Sequence, residues 1–141
     1  MTERARGERM RRLALHPRLF DQIGDFGYTD GGCRIYAEAV CELTGAILAY
    51  VIAEGNGWGP IVDHAVAING DWVFDGRGAV PLEEYLAHYG AIEDDRSGVT
   101  LELLHAEEVE EDPLLRRQAR ALPVNHALST ALATVWREAG L

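Results

Sequence analysis

Between positions 33 and 43 the apolar side chains Ile35, Tyr36, Ala39, Val40 and Leu43 recur at helical intervals. This predicts a central helix from Cys33 to Leu43, entered through the turn Asp30-Gly31-Gly32 and stopped at Thr44-Gly45. The pattern then changes. Ala46 to Ala53 is a continuous apolar run of β-formers, and Glu54-Gly-Asn-Gly-Trp-Gly-Pro60 carries three glycines and a proline in seven residues, which predicts a strand followed by a mobile loop. Asp63 to Ile68 and Asp71 to Asp75 flank Asn69-Gly70, a pair that tolerates the positive φ of a two-residue hairpin loop. A second strand pair is expected there. Downstream, Pro81 opens a helix to about Tyr89, Val99 to Val109 reads as a strand with an acidic end, and Pro113 to Ala121 and Asn125 to Ala139 read as helices. Upstream, Thr2 to Leu15 reads as a helix ended by His16-Pro17, because the residue before a proline is pushed away from helical dihedrals. Residues 18–28 are mixed.

With no internal repeat and no linker, these elements make an α+β domain over residues 1–141, the Cys33 helix packed on an antiparallel sheet and a helical region at 113–139. The chain is 48% apolar and 26% charged, which is ordinary for a globular protein and too apolar for disorder. No apolar run approaches the roughly 18–20 residues of a membrane span, and the Arg-rich start leads into no signal-peptide core, so no membrane partner and a cytoplasmic location are expected. Charge narrows the partners further. The formal net charge is −10, yet residues 1–18 hold six Arg and two Glu, against seven Arg and 21 acids in the rest. Such a balance argues against nucleic acid, and the basic start reads as a helical arm. All thirteen basic residues are Arg, which removes lysine Schiff-base chemistry and the lysine of phosphate-binding loops.

Cys33 and Cys41 lie eight residues apart in one helix, about 12 Å of rise, which excludes a disulfide between them. A thiol attacks only as thiolate, a form favoured at a helix N-terminus beside a base. Cys33 has that place, and the glycines before it permit close backbone approach, so that its amide can face a substrate oxygen. The plainer alternative is a small buried thiol. The hairpin supplies a base: a two-residue Asn69-Gly70 loop pairs Ile68 with Asp71, Ala67 with Trp72, Val66 with Val73, Ala65 with Phe74 and His64 with Asp75. Opposed side chains share a face about 5 Å apart, so the Asp75 carboxylate holds one imidazole nitrogen and leaves the other free. A satisfied core histidine, or a surface pair, would explain His64 and Asp75 but not a nucleophile, base and orienter on three suitable elements.

Asp30-Gly-Gly-Cys33-Arg-Ile-Tyr-Ala-Glu-Ala-Val40 and Asp63-His-Ala-Val-Ala-Ile-Asn-Gly-Asp-Trp-Val-Phe-Asp75-Gly-Arg-Gly78 resemble the Cys-His-Asp core of papain-like and transglutaminase-like proteins, shared by arylamine N-acetyltransferases and NlpC/P60-type peptidases. The resemblance covers residues 29–78, about a third of the chain, and implies Cys33 as nucleophile, His64 as base and Asp75 as orienter. Thirty residues between Cys33 and His64 leave no room for the large second lobe of papain. Gly76-Arg77-Gly78 also lacks the aromatic turn common in the acetyltransferases. A minimal core is implied, most similar to small bacterial and phage proteins of the superfamily.

Around the trio, Gly32 and a hydrogen-bond donor from Gln22 or Tyr28 are candidate substrate-binding groups, and Trp58 and Asn56 sit in a segment that either lines the cleft or merely joins two strands. The other histidines, His16, His88, His105 and His126, lack metal-ligand spacing, so no metal and no cofactor are expected. The acids Glu107, Glu108, Glu110, Glu111 and Asp112, and Glu93, Asp94 and Asp95, read as solvated surface. The expected function is cysteine-dependent hydrolysis or acyl transfer at an amide, isopeptide or thioester bond. A neutral or cationic peptide, a protein side-chain amide or a small acyl group is the expected substrate. The alternative is a non-catalytic binding or assembly module that keeps the fold.

Overall fold

The computed structural model describes residues 1–23, 27–29, 31–55, 57–92 and 98–141. Asp30 of the expected turn, Asn56 of the Gly-rich segment and the acids Glu93, Asp94 and Asp95 lie outside them. Helices α1 (Glu3–Ala14), α2 (Pro17–Phe20) and α3 (Cys33–Thr44) come first. Strands β1 (Ile47–Gly55), β2 (Trp58–Asn69), β3 (Trp72–Asp75) and β4 (Gly78–Pro81) follow. The chain closes with α4 (Leu82–Ile92), β5 (Val99–His105), α5 (Ala106–Glu110), α6 (Pro113–Arg120) and α7 (His126–Glu138). Among the described residues the strands form one antiparallel sheet in the order β4-β3-β2-β1-β5. The class is α+β. No helix among the described residues is long and apolar enough to cross a membrane.

Each face of the sheet carries its own core. On one face, α3 buries Ile35, Tyr36, Ala37, Ala39 and Val40 against Tyr50, Ile52, Ala65, Ala67 and Phe74, with Leu128, Leu132 and Trp136 of α7 completing the cluster. The Trp136 indole donates to the Met10 carbonyl (3.0 Å) and the Ser129 hydroxyl to the Ile35 carbonyl (2.9 Å), so the buried polar atoms that join α7 to α1 and α3 are paired. On the other face a smaller cluster of Ala49, Val51, Val66, Ile68 and Val73 is covered by Tyr85 and Tyr89 of α4. Alternate residues of β2 and β3 therefore feed two different cores.

The basic start is not an arm. Helix α1 packs on β4 and α7 with Met10 and Ala14 buried, Arg6 donates to the Leu141 carbonyl (2.9 Å), and the Arg4 guanidinium lies 5.7 Å above the Trp72 ring. Arg4, Arg9 and Arg12 are exposed on this integrated helix, while Arg6 and Arg11 are half-buried. The mobile loop expected over residues 54–60 is also absent from the described residues: β1 runs on to Gly55, and β2 already begins at Trp58, opposite Gly55. Gln118 of α6 holds this segment from outside, its amide donating to the Pro60 carbonyl (3.1 Å) and accepting from the Val62 amide (2.7 Å). A partner remote in sequence thus supports, beside the pairing with β1, a strand that the local glycines and proline argued against. Strand β4, unforeseen, follows the Gly76-Arg77 turn and pairs Phe74 with Ala79 and Val73 with Val80. Pro81 ends that strand rather than opening α4. The acidic end expected of the fifth strand is helix α5, where Glu108 accepts from the His105 amide (3.0 Å).

Candidate functional site

Cys33 is the first residue of α3, directly after the N-cap Gly32. Its side chain faces the sheet and is 4% exposed, and the Ala65 amide of β2 donates to its sulfur at 3.3 Å. That bond depends on the β2–β3 register. The two strands pair as Asn69↔Trp72, Ile68↔Val73 and Ala67↔Phe74, so the loop is Gly70-Asp71 and the register differs by two residues from the expected one. Glycine takes the first loop position with φ of 59°, where the positive angle is required. A slip of two keeps every side chain on its face. His64 and Asp75 consequently still share a side of the sheet, as diagonal neighbours rather than opposed ones. The ladder ends at Ala67↔Phe74, and beyond that point the helix-borne sulfur meets β2 directly.

A bulge sits beside the histidine. Val51 of β1 pairs with His64 but Ile52 pairs with Val62, leaving Asp63 as the extra residue. Bulges bend a strand and re-aim its side chains. Here the bulge separates Val62, which faces the α3 core, from His64, whose ring stacks on Tyr89 of α4 (5.5 Å between centroids, 26° between planes). The Tyr89 hydroxyl donates to Asp63 Oδ2 at 2.5 Å.

His64 and Asp75 are 2% and 4% exposed. His64 Nε2 lies 3.4 Å from Asp75 Oδ2, and Nε2 has no tight hydrogen bond. Charge-assisted bonds usually measure about 2.7–2.9 Å, so this is a long contact between the two groups. The imidazole also interacts with the Cys33 sulfur, which lies against the amide of the next residue, Ala65. Burial works against a charged His64, but hydrogen bonding and charge from Asp75 and Cys33 outweigh it and hold the ring at about 9, above its ordinary 6.5. Burial likewise opposes a charged Asp75, while His64, the Tyr85 hydroxyl and the Arg77 amide together hold the carboxyl below its usual range. The Tyr85 hydroxyl donates to Oδ2 at 2.6 Å and the Arg77 amide to Oδ1 at 2.8 Å.

The structure thus brings Cys33, His64 and Asp75 together, and it treats the other candidates differently. The Gly32 amide donates to the Gly27 carbonyl (3.0 Å), so it is occupied, and the Cys33 amide is the one at the helix start. Tyr28 is buried, its ring packed against Phe20 and Tyr36, and its hydroxyl has no protein partner. Burial pushes that phenol up to about 12, so it remains a neutral donor. Its backbone touches the turn after Asp75: a Cβ on Gly76 would lie 2.7 Å from the Tyr28 carbonyl oxygen. Gln22 is exposed and donates to the Arg18 carbonyl (2.7 Å). Trp58, half-buried, begins β2 opposite Gly55, four residues along β1 from the partner of His64. At about 3.3 Å per residue that is roughly 13 Å away, which sets Trp58 apart from the trio. Cys41 is also free, its thiol pushed up to about 11 by burial.

Sequence reasoning missed Tyr85, Tyr89 and Asp63. The two tyrosines were within reach of it, since an i, i+4 pair in a helix presents one face. The bulge at Asp63 leaves no mark in the alternation pattern. Comparison with family models, curated proteins and solved structures gave no match for this chain.

Proposed function

We propose that this chain is a cysteine-dependent hydrolase or acyl transferase with a papain-like or transglutaminase-like core. It acts on an amide, isopeptide or thioester bond through Cys33, His64 and Asp75. The observation that carries the reading is a buried imidazole held between a thiol at a helix start and a carboxylate fixed by two donors. In this mechanism His64 takes the Cys33 proton, and the thiolate attacks the carbonyl carbon, forming a C–S bond as the π electrons move to oxygen. The Cys33 amide is the first donor to that oxyanion, and the unpartnered Tyr28 hydroxyl is preferred as the second because Gln22 is exposed and already bonded to the Arg18 carbonyl. Collapse breaks the bond to the leaving group, which takes the proton from imidazolium. Water or an acceptor nucleophile, deprotonated by His64, then cleaves the thioester and returns the thiol. Asp75 keeps His64 in register throughout.

The net charge of −10 disfavours polyanionic substrates and suits a neutral or cationic peptide, a protein side-chain amide or a small acyl group. No step requires a cofactor. The near-complete burial of all three side chains favours a second reading, a non-catalytic module in which they form a buried polar cluster. Iodoacetamide at pH 6 decides between them. Rapid alkylation of native Cys33, slowed at least about tenfold in His64→Ala, supports the enzyme. A native Cys33 that reacts no faster than a buried thiol refutes it.

A further inference from the structure

We infer that Tyr85 is a positioning residue of the proposed reaction, a phenol on α4 that fixes the Asp75 carboxylate in the orientation from which it faces His64. The inference rests on the reading above and adds a residue that neither the motif spacing nor the resemblance points to. Its ground is the set of donors around one buried carboxylate. Oδ1 receives the Arg77 amide at 2.8 Å from two residues along the chain, a local turn that holds one oxygen only. Oδ2 receives the Tyr85 hydroxyl at 2.6 Å and faces His64 Nε2 at 3.4 Å. Without the phenol, the carboxylate would keep one short bond and be free to pivot about it.

Helix α4 holds both members of the pair. Tyr85 bonds Asp75, and Tyr89, one turn on, stacks on the His64 ring while the two tyrosine rings stack on each other (6.1 Å, 29°). The spacing between imidazole and carboxylate is therefore set from outside the strands that bear them. Burial and the adjacent Asp75 charge keep the Tyr85 phenol protonated, so it acts as donor only. The groups facing Asp75 are His64 from β2, Tyr85 from α4, Tyr36 from α3, whose hydroxyl has no partner, and Arg77 on its own turn. A buried carboxylate keeps its charge through such donors, so loss of one raises the pH at which it takes up a proton.

The test uses the full chain as wild type, Tyr85→Phe and Tyr89→Phe, with near-UV circular dichroism confirming the fold. Two readouts are followed, the carboxyl ¹³C titration of Asp75 and the pH profile of Cys33 alkylation. In Tyr85→Phe the Asp75 midpoint is expected to rise by about one pH unit, and the acid limb of the alkylation profile to move with it. Tyr89→Phe, which loses a bond to Asp63 instead, is expected to leave the Asp75 midpoint in place. An Asp75 midpoint unmoved in Tyr85→Phe, or moved equally in Tyr89→Phe, overturns the positioning role while leaving the enzyme reading intact. A wild-type Cys33 that stays unreactive at every pH overturns the enzyme reading, and the positioning role with it. If Tyr85→Phe does not fold, the wild-type chain decides: a downfield Tyr85 hydroxyl proton that is lost as Asp75 protonates is expected, and one indifferent to that titration overturns the inference.

Discussion

The two faces of the sheet are closed by different chemistry. Under α3 and α7 the cover is mostly carbon, with Trp136, Tyr36, Phe74, Leu128 and Leu132 almost fully buried. Under α4 the cover is thinner, and its two largest side chains end in hydroxyls bonded to carboxylates. The first face stabilises by area removed from water, about 25 cal/mol per Å² of apolar surface. The second sets the positions of charges, which apolar packing alone does not do. Cys33 belongs to the first face and His64 and Asp75 to the second. They meet because the β2–β3 ladder stops short of them.

If that division holds, the largest separation between stability and chemistry comes from one substitution on each side. Trp136→Ala should cost about 3–5 kcal/mol in denaturant unfolding, since it empties the centre of the carbon face. Cys33→Ala should abolish covalent labelling yet stay within about 1 kcal/mol of native stability. Equal destabilisation by the two would make Cys33 a core residue and end the comparison.

Gly76→Ala probes the seam between the faces. The added Cβ would sit 2.7 Å from the Tyr28 carbonyl oxygen, so a loss of about 1–3 kcal/mol is expected, with slower Cys33 labelling as the Asp75 turn shifts. Native stability and labelling in this variant would detach Tyr28 from the site.

Stability against pH sharpens the comparison next. His64 is raised from 6.5 to about 9, so its stabilising contribution is complete below about pH 6.5 and disappears as pH climbs through about 9. Asp75 is lowered, so its contribution is complete above about pH 4 and is lost as pH falls through its depressed folded value. Urea midpoints should therefore decline between pH 6.5 and 9, and His64→Ala should remove most of that slope. An unchanged slope in the variant would show that the imidazole is neutral in the fold.

The smallest effect is expected at Trp72, which is half-buried beneath Arg4. Trp72→Ala should cost about 1–2 kcal/mol, well below the Trp136 variant, by the same unfolding measurement. A cost equal to that of Trp136→Ala would place the indole in the core.

What the chain alone determined was local. The start and end of α3 follow from a glycine entry and the Thr44-Gly45 stop, and α6 and α7 open at Pro113 and just after Asn125 as the sequence predicts, although Asp112, expected to be solvated surface, caps α6. The shared face of His64 and Asp75 follows from period two, which survives a slip of two residues. Contacts between distant segments decided the rest. The register was set by packing of Ile68, Val73 and Phe74 into their two cores and by glycine at the first loop position. The strand ends at 54–55 and 58–60 were drawn out by Gln118 and β5, and the Tyr85 bond to Asp75 and the Tyr89 bond to Asp63 exist only once α4 lies across the sheet. Propensity and periodicity report on neighbours a few residues apart. A hydrogen bond from another helix is invisible to them, and here such bonds fix the charges at the centre of the candidate site.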